Sequence, residues 1–369
     1  MKASGQAGAK PDLVFRRGGR QQQRPVLSNL PPHPLSPFSF SFTCMEAQLL
    51  NEIPSLDLAD FRSGDPERKA RFVQQLGEAY QNIGFVALKN HGLSNEQTDK
   101  LYTDVKAFFS LPDDVKQQYE KPELAGQRGY VSKGKEHAKG RNTGDLKEFY
   151  HVGQEVDDAS DPIGAEYPDN IWPAEVESFA DTSLLTYRTL ESAGKDVLRA
   201  IALYLELPEN YFDDKVRNGN SILRPIHYYP IENPDEVPAD AVRAAEHGDI
   251  NLITLLMGAS ADGLQVLRRD GEWIAITALP DQIVVNVGDM LQRLTNGVLK
   301  STIHRVVNPA REKMNSSRYS VPFFMHPRSE MSLAALESCV TADNPKKEAD
   351  ITAGEFLNER LIELGLKKK

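Results

Sequence analysis

Of the eight histidines in this 369-residue chain, only His247 is followed two residues later by an acid, in His247-Gly248-Asp249. In extended backbone, residues i and i+2 project from one face, so the imidazole and the carboxylate would point together. A second imidazole, His304, lies in the strand-like segment 301–307. Two imidazoles and one carboxylate cover one face of an octahedral metal and leave three positions open. That set suits non-haem Fe(II) enzymes, which must hold oxygen and a co-substrate together. Zinc also accepts two histidines and a carboxylate, but the chain has no His-Glu-x-x-His segment. Taken singly, His247 reads as well as a turn cap, and His304 as a core histidine.

The same spacing recurs in Arg318-Tyr319-Ser320, which puts a guanidinium and a hydroxyl on one face of a strand continuing with Val321, Phe323 and Phe324. Burying a guanidinium there is costly unless a carboxylate meets it. Its planar fork takes a carboxylate through two parallel hydrogen bonds, which lysine cannot copy. The carboxylate is either an internal Asp or Glu or that of a ligand. Tyr229, in Arg224-Pro225-Ile226-His227-Tyr228-Tyr229-Pro230, either lends a hydroxyl to the same ligand or packs in the core.

These residues need a scaffold, and the composition allows one. With 40% hydrophobic and 26% charged residues, the chain is ordinary for a globular protein of one large or two small domains. A net charge of -10 argues against nucleic acid as a partner, and no apolar run approaches a membrane span. Two cysteines exclude a disulfide framework and fit a cytoplasmic protein.

Residues 1–44 differ from the rest. Six basic residues face one acid, Asp12, and six of the 23 prolines fall here, so the segment is expected to be a disordered extension. It reads as a dispensable tail, as sequence upstream of a true start at Met45, or as an organelle transit peptide. Beyond it, segment 53–58 alternates as a first strand. Phe72, Leu76, Tyr80 and Ile83 mark one helix face, and 85–88 reads as a buried strand. Ser94 with Gln97 caps another helix. Residues 120–170 read as loop, and 174–205 as a long helix. After Asn218 come short strands at 250–257, 263–267, 273–276, 283–287, 301–307 and 319–324, separated by turn formers such as Asp270-Gly271. Thr352 with Glu355 opens a last helix. Helices flanking many short strands predict an α+β protein with a mainly β core, a jelly roll.

The chain resembles the isopenicillin N synthase-like family of Fe(II)/2-oxoglutarate-dependent oxygenases from Ile53 to Leu366. The resemblance rests on Gly84-Phe85, Asn90-His91-Gly92 and Phe108-Phe109-Ser110-Leu111-Pro112. It continues in His247-Gly248-Asp249, Gly263-Leu264-Gln265-Val266, Asn286-Val287-Gly288-Asp289, Thr295-Asn296-Gly297, Lys300-Ser301, His304-Arg305-Val306 and Arg318-Tyr319-Ser320. It implies a double-stranded β-helix, with residues 50–170 as the non-haem dioxygenase N-terminal region, 171–217 as a supporting helix, 218–328 as the core and 329–369 as a C-terminal helical segment. It implies His247, Asp249 and His304 as iron ligands, and Arg318 and Ser320 as a clamp on 2-oxoglutarate with Tyr229 assisting. Gly248 stands where many members have Thr, and His227 where plant relatives often have Asn. The implied reaction uses Fe(II), 2-oxoglutarate and O2 to oxidise, by default hydroxylate, a small molecule, with release of succinate and CO2. The alternatives are a family oxidase that does not use 2-oxoglutarate, like isopenicillin N synthase or aminocyclopropane-carboxylate oxidase, and a non-catalytic binding module. No protein partner is implied. Substrate choice is expected in loop 126–150, where Arg128, Lys133, Lys135, Lys139 and Arg141 form either a solvated basic face or a clamp for an anion, and in the C-terminal helix.

Overall fold

The structure, a computed structural model, describes residues 52–135, 147–156, 160–233, 242–258, 263–276, 279 and 281–363. The extension 1–44, Lys139 and Arg141 lie outside the described residues. The strands are β1 (Ser55–Asp57), β2 (Phe85–Lys89), β3 (Gly129–Val131), β4 (Lys147–Gly153), β5 (Ile222–Leu223), β6 (Ile226–Tyr228), β7 (Ala244–His247), β8 (Ile253–Met257), β9 (Leu264–Leu267), β10 (Trp273–Ala275), β11 (Ile283–Val287), β12 (His304–Val306) and β13 (Arg318–Met325). The α-helices are α1 (Leu58–Arg62), α2 (Pro66–Asn82), α3 (Asn95–Phe109), α4 (Asp113–Lys116), α5 (Phe179–Tyr204), α6 (Asp213–Val216), α7 (Asp289–Leu294) and α8 (Ala353–Glu363). No helix among the described residues is long and apolar enough to cross a membrane.

The strands form a mixed nine-stranded sheet, in the order β1-β2-β11-β8-β13-β5-β4-β3 with β6 pairing β13 and β4, and a four-stranded sheet, β10-β9-β12-β7. Side-chain alternation explains how the large sheet serves two cores. Ile253, Leu255 and Met257 of β8, Ile283, Val285 and Val287 of β11, and Val321, Phe323 and Met325 of β13 pack with the buried faces of α2, α3 and α5. The intervening positions turn the other way. Phe85, Val284, Ile226 and Tyr228 join Ala244, Leu264, Val266 and Val306 of the small sheet in a second cluster.

Local signals build the helices. Ser94 and Gln97 form the reciprocal capping box at the start of α3, and Thr352 and Glu355 bond at the start of α8. Pro66 at the first position of α2 follows Asp65, whose carboxylate accepts from Glu67 and Arg68 backbone N–H groups. The α5 helix runs 26 residues, shorter at its start than the periodicity suggests.

Two expectations need correction. Residues 120–170 are not all loop, because β3 and β4 lie there, antiparallel to one another. The polar residues that hid β4 are buried in partnerships: Glu148 accepts from Lys116 Nζ at 2.8 Å and shares a 2.7 Å hydrogen bond with His227 Nδ1. Arg128 is neither a solvated cation nor a surface clamp. It is fully buried, with Nη1 donating to the Gln127 carbonyl at 2.8 Å. Lys133 lies over the Tyr229 ring and Lys135 faces Glu120 at 3.5 Å.

The turn from β11 into α7 shows how tightly the fold holds the residues that follow β7. The Gly288 N–H donates to the Leu252 carbonyl at 2.9 Å and the Asp289 N–H to the Asp249 carbonyl at 2.7 Å. A Cβ on Gly288 would stand 2.1 Å from the Asn251 carbonyl oxygen, a backbone atom that cannot swing aside. Gly288→Ala is therefore expected to lower the unfolding free energy by about 1–3 kcal/mol, the scale of overpacking a closed site. Chemical denaturation checks this, and unchanged stability would show that the backbone yields without cost.

Candidate active site

The two sheets enclose a cavity lined by His247, Asp249, His304, Arg318 and Ser320, the two pairs at spacing two and the imidazole from the separate segment 301–307. His304 of β12 sits directly opposite His247 of β7 in the antiparallel ladder, and their ring centroids are 4.4 Å apart. Asp249 is not on the strand with His247. β7 ends at His247, and Gly248-Asp249 turns away toward β8. The carboxylate still reaches the pair: Asp249 Oδ1 lies 3.8 Å from His304 Nε2, and one ligand atom from each of the three residues falls within 4.8 Å of the others.

Hydrogen bonds orient each group. His247 Nδ1 bonds the Ala245 carbonyl at 2.7 Å and His304 Nδ1 the Thr302 carbonyl at 3.2 Å. A carbonyl accepts only, so both Nδ1 atoms carry protons, and Nε2 is the ring nitrogen that each histidine has left for a metal. Asp249 Oδ2 accepts from Thr254 Oγ1 at 2.6 Å and Asn286 Nδ2 at 2.7 Å, which leaves Oδ1 on the side of the imidazoles. Desolvation, and then the neighbouring His304, push the His247 pKa down to about 4, although the residue as a whole is exposed. Burial opposes ionisation of Asp249, but His304, His247 and the two hydrogen bonds outweigh it and hold its carboxyl below the ordinary value. Neutral imidazoles beside a carboxylate are donors of the kind that a divalent iron takes.

Arg318 and Ser320 open β13 on the same face, with Arg318 Nη1 donating to Ser320 Oγ at 3.3 Å. Both are buried, and the guanidinium lies 4.8 Å over the Tyr228 ring. The register pairs Arg318 with Tyr228, and Tyr228 in turn with Lys147. Tyr228 lines the cavity, whereas Tyr229 is not among its lining residues. Tyr229 sits instead in the network around Glu148 and Tyr130, with its ring 4.9 Å from His227. His227 is held there between Glu148 and Ser317, stacked on Tyr319. Alternation along β6 decides this: Ile226 and Tyr228 face one way and His227 the other.

Other polar residues of the cavity were given no role from the sequence. Thr254 and Asn286 carried a usable signal, each being the lone polar residue of an otherwise apolar strand, the pattern that drew attention to Arg318. Tyr228 needed the register, which adjacent tyrosines do not disclose. Lys147 sits on a strand whose apolar pattern is broken by buried polar residues.

Comparison with known proteins identifies the family. Residues 53–175 match the family model of the non-haem dioxygenase in morphine synthesis N-terminal region, and residues 220–327 that of the 2OG-Fe(II) oxygenase superfamily. The 2-oxoglutarate-Fe(II) type oxidoreductase hxnY of Emericella nidulans is 32% identical over 318 residues, covering 82% of this chain and 88% of that protein. A 2OG-Fe(II) oxygenase family protein of Caulobacter crescentus superposes with a TM-score of 0.76 at 43% identity, covering 84% of this chain and 98% of its own. A full-length Neurospora crassa protein, crystallised with alpha-KG and thymine, gives a TM-score of 0.74 at 31% identity, with 84% and 96% covered. The chain belongs to the isopenicillin N synthase-like family of 2OG-Fe(II) oxygenases and is a 2-oxoglutarate-dependent, Fe(II)-dependent dioxygenase.

Proposed function

We propose that His247, Asp249 and His304 hold the iron, and that Arg318 and Ser320 hold the distal carboxylate of 2-oxoglutarate, with Tyr228 in the role expected of Tyr229. The two sheets then form the jelly roll of a double-stranded β-helix, and residues 218–328 supply every proposed ligand. One observation carries this reading: two imidazoles with free Nε2 atoms, an oriented carboxylate and a buried guanidinium share one cavity. Bound there, Fe(II), 2-oxoglutarate and O2 supply an oxidant able to hydroxylate a C–H bond, with succinate and CO2 released.

The chain's own residues do the positioning. Thr254 and Asn286 fix Asp249 so that one oxygen stays available to the metal. Arg318 and Ser320 set the far end of the co-substrate, and so the end that reaches the metal. Phe85, Leu256, Leu264 and Val306 line the same cavity and exclude water beside the polar groups. The substrate is a small molecule, as thymine is in the Neurospora crassa complex. With only two cysteines in the chain, the reading places the enzyme in the reducing cytoplasm.

Anaerobic titration of apo-protein with Fe(II) and then 2-oxoglutarate tests the assignment through the visible charge-transfer band. His304→Ala is expected to lose iron binding and the band together; stoichiometric iron in that variant would contradict the triad. Arg318→Met is expected to keep iron yet weaken 2-oxoglutarate by about 30-fold or more, the cost of truncating one partner of a buried charge pair. Thr254→Val keeps all three ligands, so its expected loss is in metal affinity alone, about 10–100-fold. Unchanged affinity there would show that Asn286 suffices to orient Asp249.

A further inference from the structure

Arg243 immediately precedes β7 and is fully buried. Its Nη2 donates to the Ser316 carbonyl at 2.7 Å, two residues before Arg318. Among the described residues its Nε and Nη1 meet no acceptor. The side chain is within electrostatic reach of Arg318 and Tyr228, and its chain neighbour Ala244 lines the cavity. Burial first, and Arg318 second, hold its pKa below the ordinary arginine value, with Tyr228 opposing weakly. Even so shifted, arginine keeps its proton at any ordinary pH. A buried cation with two donor nitrogens unmet, close to a second buried cation, is costly for the protein alone. An anion near both would offset both parts of that cost. The carboxylate in the cavity lining, Asp249, is already committed to Thr254, Asn286 and the imidazoles.

Resting on the reading that Arg318 and Ser320 grip a carboxylate, we infer that Arg243 is a second guanidinium of that co-substrate site. It determines specificity for a 2-oxo acid that carries a distal carboxylate. It acts as a positioning residue behind the cavity wall. It holds the turn that enters β13 through Ser316 and adds its field to that of Arg318. The bound carboxylate, through a water, supplies the acceptors that Nε and Nη1 lack.

The test is calorimetric binding to Mn(II)-loaded protein without oxygen, using 2-oxoglutarate and 2-oxobutyrate, which has the same 2-oxo acid head but no second carboxylate. Arg243→Met is expected to weaken 2-oxoglutarate by about tenfold or more, the scale of one charge-assisted hydrogen bond. Mn(II) and 2-oxobutyrate should stay within about twofold of the unaltered protein, so the affinity ratio between the two acids falls. A parallel loss of both acids would mean a merely structural role and overturn the inference, as would 2-oxoglutarate binding unchanged to within about twofold. Should Arg243→Met fail to fold, Arg243→Lys decides. It keeps the charge without the planar fork, and an affinity ratio equal to that of the unaltered protein would overturn the inference. Arg318→Met separates the two readings. Undiminished 2-oxoglutarate binding there would overturn the clamp and this inference with it. Loss in Arg318→Met without loss in Arg243→Met would overturn the inference alone.

Discussion

The site depends on one cross-strand pair, His304 of β12 facing His247 of β7. Side chains alternate along a strand, so a slip of one residue would turn His304 out of the cavity and bring Arg305 in. The outer face of the small sheet opposes that slip. Arg305 Nε donates to Gln265 of β9 at 2.9 Å, its Nη1 lies 3.1 Å from Glu246 of β7, and its guanidinium stacks 3.8 Å over Trp273 of β10. Exposed contacts of this kind contribute little stability singly. All of them, however, are made in the register that pairs the imidazoles on the opposite face. The three side chains that clasp Arg305 are on three different strands, so the small sheet is locked across its whole width.

Charge inside the cavity runs against charge overall. The chain carries a net -10, yet the lining holds Lys147, Arg224 and Arg318 against one acid, Asp249, with Arg243 buried nearby. A lining with more cations than acids suits a small dicarboxylate. The imidazoles do not add to this positive field at His247, whose neutral form is favoured well below neutral pH. Under the proposed assignment, metal affinity and anion affinity fall to different residues of one cavity, with Asp249 as the negative pole of the proposed metal end and Arg318 as the positive pole of the other.

What was readable in the sequence follows from the same alternation. His247 with Asp249 and Arg318 with Ser320 stood out by their spacing of two, and His304 as an imidazole in a strand-like segment; the cavity holds all five. The strand at 283–287 was legible to the residue, because Ile283–Val287 is buried on both faces and flanked by turn formers. Tyr229 illustrates the limit. Both tyrosines of the pair carry a hydroxyl, and only the pairing of Tyr228 with Arg318 selects between them. β4 was hidden for another reason: Lys147, Glu148 and His151 break its apolar pattern. Long-range partners, Lys116 for Glu148 and Arg224 for His151, make that pattern tolerable. Arg128 likewise looked like a surface charge in a basic stretch, whereas tertiary packing against Gly153 encloses it. Periodicity reports burial by hydrophobic residues and is silent about burial by pairing.

Stability and site are joined because the strands that carry the site residues carry the core on their other faces. On β13, Arg318 and Ser320 face the cavity, while Val321, Phe323 and Met325 pack into the helix-side core. On β8, Thr254 holds Asp249 while Ile253 and Leu255 anchor the strand against that core. Close packing backs these strands: a Cβ on Gly194 of α5 would fall 2.5 Å from the Met325 sulfur and 3.3 Å from Leu255. A close-packed interior transmits a displacement of one methyl group rather than absorbing it. Rotation of α5 against β13 therefore moves Ser320 and Arg318 together, and lifting β8 moves Thr254 away from Asp249. The helix layer thus bears on the site without lining it: it backs the strands that set the distance between the proposed metal end of the cavity and the proposed carboxylate end.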